Sequence, residues 1–403
     1  MGRVGDREGR RAAAVAVTGA VLLVVASSCS RASREAVADG GGLARAIAEV
    51  EAGRKSTPLV SQPVEGGEVT VTFLVESPGG RVPRIVSDVT GWGERVADGS
   101  FDMGAGAMAR VGRSDWYRLE TRVASAARVE YLTVPGEGDY RVDPHNPRRS
   151  EFHASGPVSE FVAPGYVPPR EFTDAPSTPA GALAESAIDS RALGGFRRVV
   201  VYTPPGYPRA GSYPVAVFHS GWSAAREGQA PRVLDWLIAH GEIEPIVAVF
   251  LESHRPGDPD FRAGEPMRTF LVDEVPAWVA SRYRVGGRAG ERALLAISFG
   301  ARDALDAALA PERAYGRLGL LIPGRRLTPA DIEAAAARRG RRLRVAILAG
   351  LYDGANLATA RGVREALSAA GHDVAYLEVA EGHNPSTWRN HLGDVLVSLL
   401  GKR

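Results

Sequence analysis

The stretch that decides the fold is Ala293-Leu-Leu-Ala-Ile-Ser-Phe-Gly-Ala-Arg-Asp-Ala-Leu-Asp-Ala-Ala-Leu309. It begins as an unbroken apolar run, the composition of a strand buried on both faces, and ends as a helical stretch. Between the two, Ser298 falls on a turn that must swing the chain sharply from strand to helix. A serine held there has a strained backbone and little room around it. Small residues are needed two before and two after, and Ala296 and Gly300 supply them. Such a turn exposes the Ser298 hydroxyl at the carboxyl edge of a sheet. It also aims the amide N–H of Phe299 at the space where an oxyanion would form.

A serine hydroxyl is a poor nucleophile without a base, so a histidine must reach it from another loop on the same edge. The histidines are His145, His153, His219, His240, His254, His372, His383 and His391. His383 lies in Glu381-Gly-His-Asn384, directly after an apolar run at residues 374–379. His372 is expected at the opposite sheet edge and His391 within the final helix. His219 follows the run at residues 215–218, where it is expected to support a loop, the alternative being that it lines the site. An acid must hold the imidazole in the right tautomer, and Asp353, in the loop after the run at residues 343–349, fits. Asp303 is too close to Ser298 in sequence, Asp373 shares the wrong edge with His372, and Glu381 is the reserve acid. The chain order Ser298, Asp353, His383, each after a predicted strand, is that of α/β-hydrolases. The second oxyanion donor is expected in His219-Ser-Gly-Trp222, from the backbone N–H of Gly221 or Trp222.

Outward from this core, further apolar runs at residues 199–202, 246–251 and 318–322 alternate with helical patterns. They predict an α/β class domain over residues 186–403, an α/β-hydrolase with a mostly parallel, doubly wound sheet. Upstream, residues 69–75, 116–123 and 129–134 alternate with period two. Turns such as Ser77-Pro-Gly-Gly80 and Pro135-Gly-Glu-Gly138 separate them. This predicts a small all-β, E-set-like sandwich over residues 67–165. Residues 166–185, rich in Pro and small side chains, read as a linker, and residues 29–66 as a tether with a short helix.

The chain of 403 residues is 44% hydrophobic, enough to bury a substantial core, which excludes a disordered protein. Its 49 Lys and Arg against 47 Asp and Glu exclude a nucleic-acid binder that relies on a broad basic surface. The formal charge of +2 is carried by the first residues, Arg3, Arg7, Arg10 and Arg11 against Asp6 and Glu8. Residues 12–28 then carry no charge and include Val21-Leu-Leu-Val-Val25. A basic start, a short apolar stretch and small residues after it predict a signal peptide over residues 1–28. Cys29, the only cysteine, follows Ala26-Ser-Ser28 as in a bacterial lipoprotein, where it becomes the lipidated first mature residue. An ordinary cleaved signal and an uncleaved anchor are the alternatives. All three place the folded part outside the cytoplasm, and the first makes it a lipid-held periplasmic or surface protein. A single cysteine excludes multi-cysteine metal sites, and no zinc, phosphate-loop or dinucleotide motif occurs, so no cofactor is expected.

With these residues in view, the chain resembles the enterochelin esterase family, serine esterases that open ferric catecholate siderophores. In the first half the resemblance rests on Ser56-Thr-Pro-Leu-Val60, Val71-Thr-Phe73, Gly112-Arg-Ser-Asp-Trp-Tyr117 and Asp143-Pro-His-Asn-Pro-Arg148. In the second it rests on Val200-Val-Tyr-Thr-Pro-Pro-Gly-Tyr207, Tyr213-Pro-Val-Ala-Val217, Phe270-Leu-Val-Asp-Glu-Val-Pro276 and Gly382-His-Asn384 with Trp388-Arg389. It implies an ester hydrolase with Ser298 as nucleophile, His383 as base and Asp353 as acid, and a small ester, in the family a ferric siderophore, as substrate. The chain departs from the family at Ala296 and Ala301, where relatives carry Gly, and at Ser220, often Asp. Two other readings stand beside this one. A carbohydrate-directed feruloyl or acetyl esterase would bind glycan on the sandwich through Trp92 or Trp116. A decayed hydrolase would only bind.

Overall fold

The period-two stretches of the first half fold, in the computed structural model, into β1 (Leu59–Val60), β2 (Glu68–Glu76), β3 (Arg84–Ser87), β4 (Ala109–Arg110), β5 (Trp116–Ala124), β6 (Arg128–Val134), β7 (Arg149–Ser150) and β8 (Val158–Val162). They make two antiparallel sheets of order β1-β2-β5-β4 and β3-β6-β8-β7. Val69, Val71 and Phe73 of β2 face Val129 and Tyr131 of β6 and Phe161 of β8, forming the sandwich core. Phe73 meets Tyr131 edge-on at 5.0 Å. β6 is buried along its whole length. Alternation explains this: Val129 and Tyr131 fill the sandwich, while Arg128 and Glu130 take the other face, where Arg128 meets Glu381.

The structure describes residues 40–63, 67–93, 104–136, 138–153, 156–174, 179–209, 211–252, 265–324, 326–338 and 342–401. The expected signal peptide and Cys29 lie outside them. Within the described part of residues 1–55, one helix spans Gly40–Glu51, with Arg45 bonded to Glu49 one turn on. Residues 56–403 form one compact unit that holds the sandwich and everything after it. Among the described residues no helix is long and apolar enough to cross a membrane.

The apolar runs of the second half become a single sheet of β9 (Ala182–Ser190), β10 (Gly195–Thr203), β11 (Val215–His219), β12 (Val247–Leu251), β13 (Arg292–Ile297), β14 (Arg317–Leu321), β15 (Arg344–Gly350) and β16 (Asp373–Val379). Its order is β16-β15-β14-β13-β11-β12-β10-β9. Neighbours are parallel from β16 to β12 and antiparallel around β10. One face is covered by Phe270, Leu271, Val275, Leu305 and Val363. The other is covered by Val233, Leu234, Leu237, Leu392 and Leu396. Helices on both faces of a mostly parallel sheet make this an α/β-hydrolase-type fold.

The segment expected as a linker is built into the fold. A short helix at Arg170–Thr173 is held by Arg232, whose Nε donates to the Glu171 carbonyl at 2.8 Å. β9 begins at Ala182, inside the expected linker, and pairs with β10 along its full length. Its side chains are exposed except at Ile188 and Ser190, so no apolar alternation marks it. An edge strand of this kind is defined by its partner.

Candidate active site

Strand register brings the sequence-derived residues to one edge. His219 ends β11 opposite Ala296 of β13, and Gly350 of β15 pairs with Val379 of β16. The turn after His219, Ser298, Asp353 and His383 therefore all leave the sheet on its carboxyl side.

Ser298 has φ +46°, a left-handed backbone that few side chains other than glycine adopt. It opens a tight turn over Ser298–Gly300 that runs into the helix Ala301–Ala308. The need for glycine two residues on is steric. A β-carbon on Gly300 would stand 2.8 Å from His219 Cδ2 and 3.3 Å from Ser220 Oγ. Beneath the turn His219 Nε2 lies 3.1 Å from Asp303 Oδ2, both buried. His219 and Asp303 thus pair with each other and brace the turn from below.

Above it, the Ser298 hydroxyl lies 2.8 Å from His383 Nε2, and His383 Nδ1 lies 2.8 Å from Asp353 Oδ2. Asp353 is buried, while Ser298 and His383 are half-buried. With the Nδ1 hydrogen given to Asp353, Nε2 is left as the acceptor for the serine. Asn356, which sequence reasoning missed, donates from Nδ2 to Asp353 Oδ1 at 2.8 Å. Both carboxylate oxygens are therefore engaged. The signal was a polar residue three after Asp353 at the start of the helix Ala355–Ala369.

Of the expected oxyanion donors, Gly221 is corrected. Its N–H donates to the Leu251 carbonyl at 2.9 Å and is spent within the sheet. Gly221 is needed for space, since a β-carbon there would stand 2.4 Å from Phe218 Cβ. Trp222 opens the short helix Trp222–Ala225, and its ring lies between the guanidinium groups of Arg198 and Arg226 at 4.5 and 4.7 Å. Phe299 follows the serine directly, its ring 59% exposed and facing Arg326 at 5.7 Å. The reserve acid Glu381 is also corrected. It turns away from His383 and bonds His391 Nε2 at 2.8 Å, with Arg128 at 3.5 Å. His391 sits between the last two helices, and burial draws its pKa down while Asp394 and Glu381 raise it by more, to about 9.

The sandwich reaches this site. Asp88, after β3, accepts from Trp92 Nε1, the Glu130 amide and Asn384 Nδ2, at 2.9, 2.8 and 3.2 Å. A β-carbon on Gly382 would stand 2.1 Å from Asp88 Oδ1, so the loop carrying His383 closes directly on the sandwich. Burial, and after it the charge of Glu130, pushes Asp88 up to about 7 against those three hydrogen bonds. Trp116 is buried beside His145, whereas Trp92 lines a cleft of about 790 Å³ that borders His383. Among the described residues no three His, Cys, Asp or Glu side chains gather as a metal site.

Residues 190–399 match the family model described as putative esterase. An endo-1,4-beta-xylanase/feruloyl esterase of Xylanibacter ruminicola is 27% identical over 239 residues, 55% of this chain and 31% of that protein. The chain thus spans less than a third of that relative's length. Ferric enterobactin esterase from Salmonella typhimurium shares the fold at TM-score 0.68. The enterobactin esterase from Shigella flexneri, in the presence of enterobactin, does so at 0.65. Each is 20% identical and aligns 86% of this chain with 96% of its own.

Proposed function

This chain belongs to the putative esterase family and is an ester hydrolase, and on that premise we propose that it cleaves carboxylic esters through Ser298, His383 and Asp353 by way of an acyl-enzyme. One observation carries the reading: the unbroken hydrogen-bonded line from Ser298 through His383 to Asp353, starting at a serine with φ +46°. Ser298 Oγ attacks the ester carbonyl carbon while its proton passes to His383 Nε2. Asp353, fixed by Asn356, stabilises the imidazolium. The amides of Phe299 and Trp222 receive the oxyanion. As the ester C–O bond breaks, Nε2 returns the proton to the leaving alkoxide. Water then attacks the acyl-enzyme by the same route and frees Ser298.

A fluorophosphonate probe tests this directly. Wild type is expected to label on Ser298, and in Ser298→Ala labelling and hydrolysis of p-nitrophenyl butyrate are expected to disappear together. An unlabelled wild type would indicate the decayed hydrolase, and a Ser298→Ala variant that still labels would remove Ser298 from the mechanism. For substrate, the two-domain fold shared with the enterobactin esterases supports a catecholate ester, and the xylanase/feruloyl esterase relative supports a feruloyl sugar ester. Running both esters in the same assay separates them.

The leader supports an extracytoplasmic protein held by lipid on Cys29. Labelled palmitate is expected in wild type and not in Cys29→Ala, which leaves the membrane fraction. Retention of that variant with its leader attached would favour an uncleaved anchor.

A further inference from the structure

Ser298 and the two residues that serve it are held from different parts of the fold. The turn carrying Ser298 rests on hydrolase residues. His219 pairs with Asp303 beneath it, and the Gly324 amide donates to the Ser298 carbonyl at 3.4 Å. The loops carrying His383 and Asp353 meet the sandwich. The Arg128 amide, at the start of β6, donates to the Ala380 carbonyl at 3.1 Å. The Ala124 amide, at the end of β5, donates to the Tyr352 hydroxyl at 2.8 Å. The two loops are joined in turn by the Tyr352 amide, which donates to the Glu381 carbonyl at 3.0 Å. The 2.8 Å contact between Ser298 and His383 therefore spans two supports.

Asp88 closes this arrangement on the other side of His383. Its Oδ1 and Oδ2 each accept from Asn384 Nδ2 at 3.2 Å, and both residues are buried. At its other end the Asn384 side chain caps the helix Pro385–Asn390, where Oδ1 accepts from the amide and the hydroxyl of Thr387, both at 3.0 Å. A carboxylate facing the NH2 and donors facing the oxygen fix which way this amide points. On the opposite flank of His383, Gly382 packs so closely on Asp88 Oδ1 that a β-carbon has no room. The base thus sits between two residues that both rest on one buried carboxylate. The groups that reach Asp88, the Trp92 indole, the Glu130 amide and the Asn384 side chain, all donate. An asparagine at 88 would fill the same volume but would turn its own NH2 toward one of these donors.

Resting on the triad mechanism above, we propose that Asp88 is a positioning residue for catalysis: from the sandwich it holds Gly382 and Asn384, and so keeps His383 Nε2 at bonding distance from Ser298. The sandwich then takes part in the chemical step through the placement of the base.

Hydrolysis of p-nitrophenyl butyrate at a pH above the value of about 7 to which burial lifts Asp88 tests this. Asp88→Asn is expected to lower kcat about 10- to 100-fold while KM stays within about twofold, the effect of a base displaced by up to about 1 Å. Asn384→Ser keeps an oxygen for the helix cap but is too short to reach Asp88, and is expected to lose as much. It decides the question if Asp88→Asn does not fold. Because the two variants break one bond, the double variant should be no slower than the slower single. Val75→Ala is the control for lost stability. It opens the sandwich core at the end of β2 away from Ala124, and its kcat should stay that of wild type. A fall in kcat of less than about threefold, an equal fall in Val75→Ala, or losses that multiply in the double variant overturn the proposal. If wild type does not turn over the ester, the triad reading falls, and amide hydrogen exchange decides the hold of Asp88 by itself. Faster exchange over residues 380–391 in Asp88→Asn than in Val75→Ala supports it, and equal exchange overturns it.

Discussion

Ser298→Ala is expected to lower kcat for p-nitrophenyl butyrate by about 10⁵-fold with little change in KM. The serine oxygen is the atom that bonds to the substrate carbon, and its neighbours cannot substitute for it. Asp353 and Asn356 face the far side of the imidazole, and His219 is committed to Asp303 beneath the turn. The alanine methyl fits where the hydroxyl was, so the fold is unchanged by circular dichroism. Asp353→Asn should cost about 10⁴-fold. An amide facing Nδ1 offers a hydrogen where the imidazole must also offer one, which turns the histidine to the wrong tautomer. The double variant should be no slower than Ser298→Ala alone, because the two side chains act as one unit. Rates within tenfold of wild type for Ser298→Ala, or additive losses in the double variant, would exclude the proposed relay.

How far this site was legible depended on whether each feature is local in sequence. The turn at Ser298 was readable because its steric demand falls on residues two away, and Ala296 and Gly300 meet it. His383 and Asp353 were readable because each follows a predicted apolar strand, and parallel strands deliver such loops to one edge. The choice between Gly221 and Trp222 was not, since it turns on which amide the Leu251 carbonyl captures from a neighbouring strand. Glu381 adjoins His383 in sequence, yet its partners come from the sandwich and from the last helices. β9 carried no signal because an exposed edge strand is specified by its pairing with β10. Asp88 was the deepest omission. It lies nearly three hundred residues before Asn384, and only the docking of the sandwich on the His383 loop brings them together.

Arg128→Met is expected to be the most destabilising single change at that docking surface. Arg128 is 3% exposed and serves Glu130, Glu160 and Glu381, two of them almost wholly buried. A methionine fills the space but leaves these carboxylates without their shared cation. Breaking a buried ion network from one side costs about 3–5 kcal/mol, and in a unit of this size that lowers Tm by about 4–7 °C. The pH dependence distinguishes this cause from simple loss of packing. Without Arg128 the buried carboxylates keep their charge with no cation beside them, a cost that acid relieves by adding a proton. In wild type His391 shields Glu381 from the other side. Its pKa is raised to about 9, so its contribution is full below its unfolded value near 6.5 and is lost as pH climbs through 9. The variant should therefore be furthest below wild type above pH 8 and closest to it near pH 5. Since the same loop carries His383, kcat should fall with stability while the Ser298 side of the site is unaltered, and the fluorophosphonate should label the variant more slowly. A Tm within 2 °C of wild type at pH 8, or a deficit that does not change between pH 5 and pH 8, would show that Arg128 does not hold this network together.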